Sequence, residues 1–101
     1  MDEFNIDSID DVIHGRLRLG IMAYLSTAGA AEFTGLKQRL QASDGNLSVQ
    51  LRKLEEAEYV TIDKAFVGKK PQTTVTLTER GRKAYIAYLD AMRKLIAESG
   101  G

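Results

Sequence analysis

The sequence has no cysteine and no tryptophan, and it has one proline and one histidine. Without cysteine there is no disulfide framework and no thiolate metal site, a composition that suits a reducing compartment. A metal site needs several ligands, and His14 stands alone with no H-E-x-x-H pairing around it, so packing or capping is its expected role. No apolar run approaches the ~20 residues of a membrane span, and the chain opens with no signal-peptide pattern. Catalytic signatures are missing too. There is no G-x-S-x-G and no glycine-rich phosphate loop before a helix, and adjacent acids such as Asp10 and Asp11 point apart on a helix. The expectation is a soluble, cytoplasmic protein, not an enzyme, with no cofactor and no membrane contact.

Formal net charge is zero, which by itself speaks against a polyanionic partner. Its distribution says more. Residues 1–11 carry five acids (Asp2, Glu3, Asp7, Asp10, Asp11) and no base, so residues 12–101 hold fourteen bases against nine acids. An acidic tail precedes a mildly basic body. The 101 residues, 44% hydrophobic and 28% charged, are enough for one domain with one modest core.

Periodicity divides the chain. Ser8 is placed to cap a first helix, with Asp11 as its box partner, and Val12, Ile13, Leu17, Gly20, Ile21, Tyr24 and Leu25 recur at helical spacing up to a stop at Gly29. EFTGLKQRLQ follows as a short helix capped by Thr34, then ASDG as a turn. A third helix is expected from about Asp44 to Ala57. The period then changes. YVTIDKAFV and TTVTLT are β-branched and alternating, as strands are, with GKKPQ as the hairpin loop between them. Thr78 caps a long last helix, RGRKAYIAYLDAMRKLIAE, and the Gly-Gly ending is expected to fray. The expected fold is mainly α with a small antiparallel β-hairpin: a tail over 1–8, a core over 9–78 and a helix over 79–98.

On the third helix Leu47, Leu51 and Leu54 share a core stripe. Val49 and Arg52 fall opposite, with Ser48 and Lys53 at the edges and Asn46 and Gln50 on the flank. These polar types are the ones that reach base edges and phosphates in a major groove, and Val49 suits a thymine methyl group. A solvated polar face is the plainer alternative. In the hairpin, Lys69 and Lys70 stand at the tip and Lys64 on the approach, all of one sign. They suit phosphates, or equally the protection of an exposed strand edge. On the last helix Tyr85, Tyr88, Leu89, Met92, Leu95 and Ile96 recur at three- and four-residue steps, a seam suited to homodimerisation. Tyr24, Phe33, Tyr85 and Tyr88 are candidates to line a pocket for a small-molecule effector, though aromatics at helix junctions are more often core.

Three helices, a β-ribbon and a further helix form the winged helix-turn-helix order with an extra long C-terminal helix. The segments IDDVIHGRLRLGIMAYL, FTGLKQRL, DGNLSVQLRKLEEAEYV and VTLTERGRKA resemble the stand-alone, one-domain winged-helix transcriptional regulators close to the MarR-like and ArsR-like families. The resemblance implies a dimer that binds double-stranded DNA. The helix bearing Asn46 to Lys53 would enter the major groove, and the Lys69–Lys70 wing would lie on the backbone or minor groove. Two positions depart from the pattern. Glu58 stands where a glycine normally takes a left-handed backbone, at a cost on the order of 1 kcal/mol, and Gly35 stands where a glutamate is usual. The rival expectation is a winged helix used for protein contact within a larger assembly.

Overall fold

The computed structural model describes residues 5–100. Four helices and three strands follow one another: α1 (Arg16–Ala28), β1 (Ala30–Glu32), α2 (Phe33–Leu40), α3 (Asp44–Glu56), β2 (Val60–Val67), β3 (Lys70–Leu77) and α4 (Glu79–Glu98), after a 3-10 turn at Ile6–Ser8. The strands form one antiparallel sheet in the order β1-β3-β2. This is a winged helix, mostly helical, with a three-stranded sheet where a two-stranded hairpin was expected. Of the acidic tail, residues 1–4 lie outside the described residues, as does the final glycine of the expected frayed end.

Four boundaries differ from expectation, each for a physical reason. β1 is three residues of no visible pattern, and it exists because β3 offers Thr74–Thr76 as a free edge for Ala30–Glu32. It runs straight into α2, so Phe33 begins that helix and Glu32, not Thr34, is its N-cap. Ser8 does not start α1. The Asp10 carboxylate instead accepts the backbone N–H groups of Val12 and Ile13 at 2.8 and 3.2 Å, which holds residues 10–13 as a turn, and α1 begins only at Arg16. The hairpin loop shrinks to Gly68 and Lys69, with glycine at the positive φ of 66° that a tight turn's first position needs. Pro71 therefore lies within β3, opposite Phe66. It costs no ladder bond on the far side, because β1 pairs only with Thr74–Thr76.

The core gathers one face of every element. Ile9 and Ile13 from the N-terminal strap, Ile21, Met22 and Leu25 from α1, Leu36 from α2, Leu47, Leu51 and Leu54 from α3, Val60, Val75 and Leu77 from the sheet and Tyr88 from α4 are all buried. The leucine stripe on α3 is thus the core face that its spacing implies. Ser43 caps α3, accepting from the Asn46 N–H at 3.2 Å, and Thr78 caps α4, accepting from Gly81 at 2.9 Å.

Glu58 does take the left-handed conformation, at φ 66°. Its N–H donates to the Glu55 carbonyl at 2.9 Å and its own carbonyl accepts the Thr78 hydroxyl at 2.7 Å, so the turn is tied on both sides. Among the described residues its side chain finds one compensating contact, with Arg80 at 3.1 Å, exposed and worth about a few tenths of a kcal/mol. Glu58→Gly is accordingly expected to stabilise the fold by about 0.5–1 kcal/mol. A rise in the urea midpoint at unchanged slope would show it, and an unchanged or lower midpoint would contradict it.

A polar pair ties the strap to the turn between α3 and β2. The Tyr59 hydroxyl donates to Asp10 at 2.5 Å. Burial, then the hydrogen bond to Asp10 and its charge, push the Tyr59 hydroxyl up to about 12 from 10, against a smaller opposing pull from Arg80. A tyrosine whose folded pKa is raised adds stability that is complete below pH 10 and is lost as pH climbs through about 12. Burial raises Tyr88 in the same direction. Melting temperature should therefore fall between pH 10 and 12, and Tyr59→Phe should flatten that fall while losing about 1 kcal/mol at neutral pH. A wild-type curve that tracks the variant throughout would break the assignment.

Candidate nucleic-acid interface

Helix α3 presents its outer face because its leucines anchor the inner one. Asn46, Ser48, Arg52 and Lys53 are exposed, Val49 is 45% exposed, and Gln50 is half-buried. The N-terminal end of the helix, where the dipole is positive, lies at the exposed turn after α2.

Strand alternation decides which wing residues join this face. Ile62, Lys64 and Phe66 share one face of β2, opposite Val75, Thr73 and Pro71 on β3. Ile62, Lys64 and Thr73 line an open cleft of about 620 Å³ together with Phe33 and, from α3, Ser48, Leu51, Arg52 and Glu55. The fold thus brings Ser48, Arg52 and Lys64 to one side of the molecule, from positions up to sixteen residues apart. Lys69 sits in the turn, and Lys70, opposite Val67, belongs to the other face of the ribbon. Lys53 is separated from this group. It faces the strap across a shallower cavity shared with Asp11, Val12, Arg18 and Glu56. Among the described residues none of Arg52, Lys53, Lys64, Lys69 and Lys70 is held in an ion pair.

One positioning residue escaped the sequence reading. Arg18 of α1 donates through Nε to the Val12 carbonyl at 2.5 Å and through its guanidinium to the Gln50 side-chain oxygen. Gln50 in turn donates to Asn46 at 3.0 Å. A chain Arg18–Gln50–Asn46 therefore fixes the flank of α3 from beneath, and Gln50 is partly used up in it. A Cβ at Gly15 would stand 2.6 Å from that guanidinium, so the glycine leaves the arm its room. No local pattern announces a contact between residues 32 positions apart.

The α4 side chains divide in two. Tyr88 is in the chain's own core, 3% exposed, with its hydroxyl 2.8 Å from His14 Nδ1. Tyr85, Met92 and Leu95 are partly packed on that core. Leu89 and Ile96 are exposed, joined by Ile86, which the spacing had not singled out. The four aromatics considered for an effector pocket go separate ways: Phe33 to the cleft, Tyr24 under Arg39 at 4.7 Å, Tyr88 to the core and Tyr85 to the α4 flank. His14 lies against the Tyr88 hydroxyl, and the described residues contain no cluster of three or more His, Cys, Asp or Glu. No helix among them is long and apolar enough to cross a membrane.

Comparison with known proteins agrees with the fold. The winged helix DNA-binding domain family matches residues 17–96. An uncharacterised protein of Methanocaldococcus jannaschii, MJ0432, is 33% identical over 78 residues, which is 77% of this chain and 85% of that one. The structure of a transcriptional regulator homologue from Pyrococcus horikoshii superposes with a TM-score of 0.86 at 26% identity, over 97% of each chain. The fold alone is shared with overoxidized AbfR bound to DNA, at a TM-score of 0.67 and 21% identity over 74% of this chain and 54% of AbfR. The chain belongs to the winged helix DNA-binding domain family.

Proposed function

We propose that the protein is a sequence-specific, double-stranded DNA-binding transcriptional regulator that works as a homodimer. The observation that carries this is the convergence of Ser48 and Arg52 on α3 with Lys64 on β2 in a cleft open to one side, with neither Arg52 nor Lys64 in an ion pair among the described residues. Residues Asn46 to Lys53 enter the major groove, where Asn46 and Arg52 have the hydrogen-bonding shapes that read adenine and guanine. Lys69 and Lys70 lie on the backbone or minor groove and supply affinity without sequence preference. The acids Glu55 and Glu56 stand at the C-terminal end of α3, and Glu55 lines the cleft one turn beyond Arg52.

Helix α4 supports the dimer. Its 20 residues span about 30 Å, and Ile86, Leu89 and Ile96 along it are 54%, 38% and 59% exposed. The chain is elongated, 58 by 25 by 21 Å, so the helix has unpartnered length to offer. Two-fold pairing would set two copies of α3 about one turn of DNA apart, ~34 Å. The family match and the DNA-bound state of AbfR support the reading.

The test is selection of genomic duplex fragments at two salt concentrations, with the mass of the retained complex measured alongside. Recovery of a shared, near-palindromic site bound by two chains is expected. Retention of no fragment at the lower salt would overturn the reading and turn the outer face of α3 towards a protein partner.

A further inference from the structure

The wing carries more than charge. Phe66 is 74% exposed and Val67 62% exposed, in a hairpin whose other outer residues are mostly polar. Phe66 is opposite Pro71, and this pair continues the face of β2 and β3 that holds Ile62 with Val75 and Lys64 with Thr73. Nearer the core, that same face lines the cleft with Arg52 and Ser48. The phenyl ring and the proline therefore project towards the side on which α3 is exposed, beyond Lys64, with Lys69 at the tip. A ring that exposed adds little to the fold, and an apolar ribbon end invites aggregation unless a partner covers it.

We infer that the Phe66–Pro71 pair is an apolar contact for the minor groove of the bound duplex, packing on its sugar walls while Lys64 and Lys69 flank it on the phosphates. The inference rests on the DNA-binding reading above. Charge complementarity chooses the occupant: the apolar pair is bracketed on its own face and at its tip by lysines with no acid paired to them. Apolar side chains, phenylalanine among them, are known to enter minor grooves, and there they register groove shape and deformability in place of base identity. The wing would thus contribute two separable things: lysines that set the salt dependence, and a ring that contributes affinity without it.

The test compares wild type, Phe66→Ala, Phe66→Leu and the double variant Lys69→Ala with Lys70→Ala on one duplex recovered by selection, titrated across salt. Phe66→Ala should bind on the order of 10-fold more weakly at every salt concentration, with the slope unchanged, because no counterion is released by a phenyl ring. Phe66→Leu should keep most of the affinity. The lysine double variant should flatten the log–log slope by about 1.8, two contacts at roughly 0.9 each. A wild-type melting temperature in Phe66→Ala confirms that folding is untouched. Salt-sensitive binding by wild type that Phe66→Ala fully retains would overturn this inference and leave the regulator reading standing. Failure of wild type to bind any duplex would remove both.

Discussion

Gly81→Ala is expected to destabilise the protein by about 3 kcal/mol or more. Gly81 is buried in the first turn of α4, and a Cβ there would stand 2.2 Å from the backbone oxygen of Tyr59 and 2.9 Å from Leu77 Cδ1. The leucine tip can rotate away. The carbonyl cannot, because it already accepts the Thr78 N–H at 3.0 Å, and Thr78 is the residue that caps α4. Relieving the clash means lifting the helix start off the sheet and breaking that hydrogen bond, its cap, or both. For a domain of this size the melting temperature should drop by roughly 12–24 °C. A drop of under ~4 °C would show that α4 docks more loosely than this close approach requires.

Arg52→Ala carries the second large effect, on binding and not on stability. Arg52 is exposed, so its removal leaves the core leucines of α3 in place. If its fork holds a guanine, truncation costs about 1–3 kcal/mol, or roughly 5- to 150-fold in affinity for the preferred site. Affinity for unrelated duplex should fall much less, so the ratio between the two narrows at that base pair. Equal losses on both sequences would reduce Arg52 to a phosphate contact, and no loss on either would take it out of the interface. Arg18→Ala makes an informative comparison, since it leaves every proposed contact present but frees Gln50 and Asn46 from their support.

Helix α3 was the most legible element because its information is local. The ASDG turn, leucines at positions 47, 51 and 54 and a following change of period fix it within a residue of its observed end. The caps at Thr78 and the stop at Gly29 were legible for the same reason. Elements that depend on distant partners were not. Asp10 would serve either as part of a helix start or as the centre of a turn, and Tyr59, 49 residues on, is bonded to the carboxylate of the turn. β1 has no pattern of its own and borrows its strand geometry from the edge of β3. Gln41 adopts φ 52° at the end of α2 without glycine or asparagine to signal it. The candidate interface divides likewise. The outward residues of α3 followed from helical spacing, while the separation of Lys53 from Arg52, the bracing by Arg18 and the exposed ring of Phe66 required the packed chain.

The measurement that tests the central claim most directly is the dependence of binding on salt, for wild type on its selected site and on a scrambled duplex of equal length. A steep negative log–log slope on both, with the selected site held tighter throughout, is the expected result, since phosphate contacts are shared and base contacts are not. A flat slope on both duplexes, or the same affinity for both at every salt concentration, would contradict a sequence-reading α3 and a phosphate-binding wing.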